Sequence, residues 1–509
     1  MRRALLLALA FSAITCVEFE VLPGHTYLAG NTQLYVPMLE RLEAPGYLSR
    51  DLVATHPNLS FTVYDEATLF IHQVGRLDFR KALSVQQVLF RAAAIIGVYL
   101  LACAAGLDSI WALGIAALVN LGAWLPGLNL RLVDPEPVPT TFAFGLSLLA
   151  MGCLARERPL LCGLAGGLAL LYDPTVAAVL WITVLIAFFA DKRSRSVIRP
   201  ALTVLLVFIL LLANLAQLQP GVIDSDPLFS RISHEIVAIL KARTPYAWVS
   251  LWGGREIWLY LAILICGLWA VARIWSLLNR QTRWLYIFPS LLGIVSLPVS
   301  LFLLSQFGWW FFPQIQPARS LQFTVEFSLI ACGIAGVQAL RVRNRTESFA
   351  WFLFLSAVIG STNFLAPRAG RIPDREAATD LARWADANTW GGSMFLFPDA
   401  GQDLYPGVFR AESHRALWVD WQSGAQSCYS GSLARTWNER WQRDAEGGFS
   451  IRRLQSSLSL PIDYYVLKAT NRLAGVPPAY ANSDFVAYDS RDLLNAGTGL
   501  RTVHLMRSQ

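Results

Sequence analysis

Long apolar runs separated by short clusters of arginine and lysine dominate the chain up to about residue 366. Leu5 to Ala13, Ala92 to Ala105, Val176 to Ala190 and Leu202 to Leu215 are almost free of charge, which is what a hydrocarbon solvent demands. The pattern predicts about eleven spanning helices, near residues 4–18, 86–105, 109–127, 138–154, 159–172, 174–190, 200–218, 257–272, 284–304, 321–340 and 349–366. A crossing takes roughly 20 residues, or fewer where neighbouring helices bury short pieces. Met1-Arg2-Arg3 followed by Ala4 to Val17 has the look of a signal peptide, but the spans that follow favour a retained first helix with its N-terminus inside.

Three polar stretches interrupt this pattern on the outer side. The first, Phe19 to Val85, contains Leu34 to Leu42, whose apolar positions fit a helix lying along the membrane surface. The second, Gln219 to Glu256, holds the amphipathic run His234 to Lys241, and the third, Ser305 to Ser320, holds Gly308-Trp309-Trp310-Phe311-Phe312-Pro313. Together they are expected to roof one face of the bundle. Beyond Ala366 the pattern changes. A helix around Asp374 to Ala387, strands Met394 to Pro398 and Ala416 to Trp421, a helix Leu433 to Arg443 and strands Asp463 to Lys468 and Phe485 to Tyr488 predict a small α/β layer structure. The fold class expected is therefore a mostly α polytopic bundle over residues 1–366, its first outer loop at about 19–85, with an extracytoplasmic α/β domain over 367–509.

Composition strengthens the membrane reading. The 509 residues are 55% hydrophobic and 15% charged, whereas a soluble globule carries roughly 25% charged residues. The formal net charge of +7 is unevenly placed. The segments assigned to the cytoplasm carry fourteen basic residues, among them Arg156, Arg158, Lys192, Arg273, Arg280, Arg341 and Arg345, against only Asp108, Glu157, Asp191 and Glu347. The rest of the chain is slightly acidic. Basicity here sets orientation and gives no support for a nucleic-acid partner. Six of the seven cysteines lie in or beside apolar segments and only Cys428 lies in the tail, so no disulfide within the tail is expected. No Walker loop, GxGxxG segment, zinc spacing or Ser-His-Asp arrangement occurs.

The first outer stretch is rich in acids: Glu18 and Glu20 at the membrane exit, then Glu40, Glu43, Asp51, Asp65, Glu66 and Asp78. A carboxylate at the lipid boundary is partly desolvated and becomes a better proton acceptor. Arg319, alone among basic residues in its loop and next to Pro317, has the geometry to grip a phosphate with two parallel hydrogen bonds. The plainer reading is a snorkelling arginine that anchors a helix end. Arg131 and Arg255 are weaker versions of the same idea. Asp173 at a helix end reads as a cap or a ligand, and Glu326 as a ligand or a partner for Arg319. The aromatic run 308–313 reads as an interfacial belt or as a surface for an isoprenoid tail. In the tail, Phe409-Arg410, His414-Arg415 and Asp420 read as ordinary polar strand ends or as contacts to a glycan.

The order of these parts resembles the GT-C glycosyltransferases, and more narrowly a bacterial group of GT-C-like polytopic proteins. The resemblance rests on Gly30 to Pro37, Tyr47 to Leu52, Tyr172-Asp173-Pro174-Thr175 and Gln316 to Ser320, and in the tail on Arg383 to Thr389, Phe409-Arg410, Ser413 to Arg415 and Val419-Asp420-Trp421. It implies inverting transfer of a sugar from a polyprenyl-phosphate donor to an extracytoplasmic glycan, lipid or protein acceptor. An acid of the first outer loop would be the base, with Glu18, Glu20 and Asp51 as candidates; Asn31 stands in a polar position before Gln33 and is no base. Arg319, Arg131, Arg255, Asp173 and Glu326 are the candidates for holding substrate. The resemblance places the chain in a bacterial inner membrane, and oxygen ligands suffice for a divalent cation although no spacing demands one. The rival readings are a transporter or flippase of lipid-linked solutes and an inactive GT-C-like scaffold.

Overall fold

The computed structural model describes residues 2–57, 62–218, 226–365, 375–496 and 501–502. The expected boundary at 366/367 and the start of the helix at Asp374 lie outside the described residues. The chain forms two compact units, each built from three pieces of sequence.

The first unit comprises Met1–Thr26, Phe61–Gln219 and Pro245–Pro367. A helix stands in each of the eleven stretches expected to span, from Arg2–Glu20 and Phe79–Ala104 to Leu321–Arg341 and Arg345–Leu365, but the one expected over 109–127 ends at Val119, and Trp124–Leu125 of that stretch is a strand. Among the described residues, five segments are long and apolar enough to cross a bilayer, and four further apolar helices are shorter. The protein is a multi-pass membrane protein with a mostly helical body. Short polar side chains start these helices. Asp78 accepts from the Lys81 amide, Asp108 from those of Ile110 and Trp111, Asp173 from those of Thr175 and Val176, and Asn279 from that of Thr282.

Two helices form the inner layer. Pro139–Ala155 is buried over most of its length and meets Phe79–Ala104 at small residues; a methyl group on Gly97 would run into the Leu148 backbone, and one on Gly145 into the Phe90 carbonyl. Such close approach is how helices associate where apolar surface alone gives no preference over lipid. Leu321–Arg341 is likewise enclosed, and it carries Gln322, Thr324, Glu326 and Ser328 into the interior. At the end assigned to the cytoplasm, three of the four acids hold arginines: Asp108 pairs with Arg341, Asp191 with Arg280 at 3.1 Å and Glu347 with Arg273 at 2.7 Å. Between the 109–119 and 139–155 helices, a two-residue hairpin pairs Trp124 with Arg131.

The second unit comprises Tyr27–Ser60, Pro220–Thr244 and Arg368–Gln509. It takes in part of the first outer stretch and part of the second, which the sequence had assigned to the membrane domain. Its sheet has five strands in the order Ala416–Leu417, Met394–Leu396, Tyr464–Lys468, Phe485–Asp489 and Tyr480–Ala481, the first three parallel and the last two antiparallel additions. The strand expected at Ala416–Trp421 stops at Leu417. Asp420 and Ser423 close a local turn through the Ser423 amide and hydroxyl, which starts the 3₁₀ turn Gln422–Cys428.

The helices Thr32–Glu43 and His234–Arg243 form where amphipathic runs predicted them, but their apolar faces pack within this unit and not along a lipid surface. Thr32–Glu43 lies on the helix Tyr405–Ser413, where Gly407 leaves room for Gln33, whose Nε2 donates to the carbonyls of Leu28 and Leu404 at 2.9 Å. His234–Arg243 packs on Gly431–Arg440, and Arg243 donates to the Trp421 carbonyl at 2.8 Å.

Arg410 sits at the centre, 1% exposed. It donates to Asp420 at 3.0 Å and to the Gln33 carbonyl at 2.9 Å, and lies 3.9 Å from Asp51. Asp51 in turn accepts from the amides of Val53, Ala54 and Leu417 at 2.9, 3.0 and 3.0 Å. Arg415 ties the neighbouring helix in the same way, through Asp386, Thr389 and Ser413. Of the tail residues read as strand ends or glycan contacts, Phe409, Arg410, Arg415 and Asp420 are thus interior, and His414 is half-buried. Glu40 lies in the same interior. Burial holds its carboxyl well above the usual range; Arg410 opposes that, and Glu43, Asp51 and Glu412 add to it.

Replacing Arg410 by Met leaves Asp420 and Asp51 buried without their cation. The expected cost is about 3–5 kcal/mol, read as a fall in the thermal unfolding midpoint, with Arg410→Lys falling less. Glu40 has the opposite sign. The folded protein keeps a proton there that the unfolded chain releases, so this group lowers stability as pH rises above the ordinary glutamate range. Glu40→Gln is expected to raise the midpoint near pH ~8 and to leave it unchanged near pH ~4, where both states are protonated.

Candidate functional site

The polar groups of the helical unit converge around the end of the first helix. Glu18, in the last turn of Arg2–Glu20, is 2% exposed, and neither carboxylate oxygen has a hydrogen-bond partner. Glu326, from the enclosed helix Leu321–Arg341, is 1% exposed and lies within electrostatic range of Glu18. Arg91, which donates to the Glu18 carbonyl, also acts electrostatically on its carboxyl. Arg91 also acts on Asp134, as do Arg131 and Arg319. Burial pushes the Asp134 carboxyl up, while its bond from the Glu136 amide and these three arginines pull it back.

Electrostatic influence thus links six charged side chains stepwise: Glu326 with Glu18, Glu18 with Arg91, and Arg91, Arg131 and Arg319 each with Asp134. The hairpin Trp124–Arg131 and the loop after it bring in Arg131 and Asp134, and the 3₁₀ turn Pro317–Ser320 brings in Arg319. Low-dielectric surroundings make such charges interact strongly, so their arrangement governs where a charged ligand or a developing charge is stabilised.

Beside this set is a cavity of about 320 Å³. Its walls are mostly apolar, with Val179, Ile182, Phe311 and Phe323 among them, and Arg319 is its only charged lining residue among the described residues. No side chain hydrogen-bonds to or ion-pairs with the Arg319 guanidinium among the described residues. The cavity also touches the start of the helix Pro174–Ala190, but Asp173 already takes the amides of Thr175 and Val176 and the Thr175 hydroxyl, the last at 2.6 Å. Within the aromatic run, Trp309 stacks on Phe312 at 5.8 Å and Trp310 is buried, so only part of it faces outward.

The sequence candidates divide accordingly. Glu18 acts electrostatically on Glu326, and Arg131 and Arg319 both act on Asp134. Glu20 is exposed, Asp173 is a helix cap, and Arg255 is exposed in the first turn of Gly254–Arg273. Asp51 belongs to the second unit, its carboxylate engaged by three amides and Arg410. Glu326 is buried and lies within electrostatic range of Glu18. Two members of the set, Arg91 and Asp134, were not singled out from the sequence. The usable signal for Arg91 was an arginine inside a predicted span, since intramembrane charge is costly and seldom idle. Among the described residues, no three His, Cys, Asp or Glu side chains converge as a group able to hold a metal ion.

Comparison with solved structures places the fold. The chain is similar to the arabinofuranosyltransferase AftD from Mycobacteria, at 14% identity and a TM-score of 0.52, over 96% of this chain and 40% of that one. It is also similar to the oligosaccharyltransferase of Archaeoglobus fulgidus, at 12% identity and a TM-score of 0.48 over 91% of this chain and 69% of that one. A third similar structure is ArnT from Cupriavidus metallidurans, at 11% identity and a TM-score of 0.40 over 97% and 99% of the two chains. The chain thus spans well under half the length of AftD. No family model and no curated protein matches the sequence.

Proposed function

Starting from the GT-C glycosyltransferase fold that the chain shares with AftD, we propose that it is an integral membrane glycosyltransferase. It moves a sugar from a polyprenyl-phosphate donor to a hydroxyl of an extracytoplasmic glycan, lipid or protein. The observation that carries this reading is the buried Glu18 carboxylate with both oxygens unpartnered, in the same connected set of charges as a cavity-lining Arg319.

In this reading Glu18 is the base, because Glu20 is solvated and Asp51 is saturated by structural bonds. Glu18 takes the proton of the acceptor hydroxyl as that oxygen attacks the anomeric carbon from the face opposite the phosphate. The carbon–oxygen bond to the phosphate breaks, the new glycosidic bond forms with inversion, and the negative charge that develops on the leaving phosphate is held by Arg319. The apolar cavity walls suit the first isoprene units of the carrier. The clustering of basic residues at the opposite helix ends supports a cytoplasmic N-terminus and an extracytoplasmic second unit; the membrane in this proposal is a bacterial inner membrane.

The test is transfer of radiolabel from polyprenyl-phosphate sugars to a cell-envelope acceptor mixture by purified protein in lipid. Glu18→Gln is expected to lose about 10²- to 10⁴-fold in turnover, whereas Glu20→Gln stays close to wild type. Arg319→Ala should raise the donor KM by roughly tenfold or more, in line with the loss of a charge-assisted bond. Equal transfer by wild type and Glu18→Gln rejects the choice of base. Movement of unaltered substrate across sealed vesicles, with no label transferred, rejects the enzyme reading altogether.

A further inference from the structure

Arg91 is 3% exposed in the middle of an apolar helix. A snorkelling arginine reaches for headgroups, but this one turns inward and is bound by main-chain oxygens from three separate places. Its Nη1 donates to the Glu18 carbonyl at 2.6 Å, and its Nη2 to the Gly24 carbonyl at 2.6 Å and the Asp134 carbonyl at 3.3 Å. The guanidinium also sits over the Phe19 ring at 5.7 Å, and Phe19 stacks on His25 at 4.2 Å.

The consequence for Glu18 is specific. Its carbonyl receives the Gly24 amide at 3.0 Å as well as Arg91, at a turn where Gly24 takes φ +80. Gln87, one helical turn before Arg91, fixes the other side by donating to the Pro135 carbonyl at 2.7 Å, and the Thr26 amide reaches the same carbonyl at 2.9 Å. The Glu18 carbonyl and the chain that follows it to Thr26 are thus held, while the Glu18 carboxylate is left open. An arginine that only stabilised the fold had no need to choose the carbonyl of this residue; a fork of donors on it fixes where the side chain starts.

We infer that Arg91 is a positioning residue that holds the Glu18 backbone so that its carboxylate meets the acceptor hydroxyl, an inference that rests on Glu18 being the base. Arg91 touches neither donor nor acceptor in this scheme. A displacement of about 1 Å at a reacting group costs on the order of a hundredfold in rate, so its loss is expected to appear in turnover and not in substrate affinity.

The experiment uses the full chain in lipid and the same label-transfer assay. Arg91→Lys, which keeps the charge but not the fork, is expected to lose about tenfold in kcat, and Arg91→Met about a hundredfold, with KM for donor and acceptor within about twofold of wild type. In a Glu18→Gln background, Arg91→Met should add less than about a twofold further loss, because residues that act as a unit are not additive. Where Arg91→Met does not fold, Arg91→Lys in both backgrounds carries the test. Equal fractional losses in the two backgrounds, or a raised KM with unchanged kcat, overturn the assignment. If Glu18→Gln is inactive while both Arg91 variants match wild type, the base stands and only the role of Arg91 falls. If Glu18→Gln turns over normally, the base fails and this inference with it.

Discussion

A guanidinium withdrawn from water must place its N–H donors on protein acceptors, and a buried chain offers mostly carbonyls from distant segments. Three arginines meet this constraint in the same way. Arg91 gathers residues 18, 24 and 134 in the helical unit. Arg410 gathers residues 33, 51 and 420, and Arg415 gathers 386, 389 and 413, in the second unit. Because each has one fork and several required partners, it fixes the approach of loops that hydrophobic packing alone leaves free to slide. The stretch Tyr27–Ser60 belongs with the tail for this reason, although sequence order places it between membrane helices.

The degree to which each charged group is already satisfied separates scaffold from chemistry. Asp51 and Asp173 are acids in suggestive positions, yet backbone amides occupy both. Glu18 is the opposite case, with its backbone held and its carboxylate unengaged. Arg319 shows the same contrast with Arg410: one lines a cavity with no bound partner among the described residues, while the other is enclosed by acids. A buried group left unpaired costs stability, so its persistence beside a cavity argues for a task that requires it.

Charge on the opposite helix ends has a different function. Asp108, Asp191 and Glu347 each hold an arginine from another segment, so part of the positive excess expected to orient the chain also pins neighbouring helices together. Those pairs are partly exposed and contribute little energy individually. Their value is in register, which complements the close glycine contacts between Phe79–Ala104 and Pro139–Ala155.

Helix positions were legible in the sequence because a hydrocarbon environment forces backbone hydrogen bonds into each segment and apolar side chains onto its surface, and this leaves a local signature. The resemblance to GT-C enzymes and the cap residue Asp173 were equally local. Tertiary structure alone decided the rest. The amphipathic runs 32–43 and 234–243 carry the same pattern whether lipid or protein covers them, and only packing showed that it is protein. Likewise no spacing reveals that Asp51 is saturated or that Arg91 holds the Glu18 carbonyl, since hydrogen bonds between remote segments leave no periodicity along the chain.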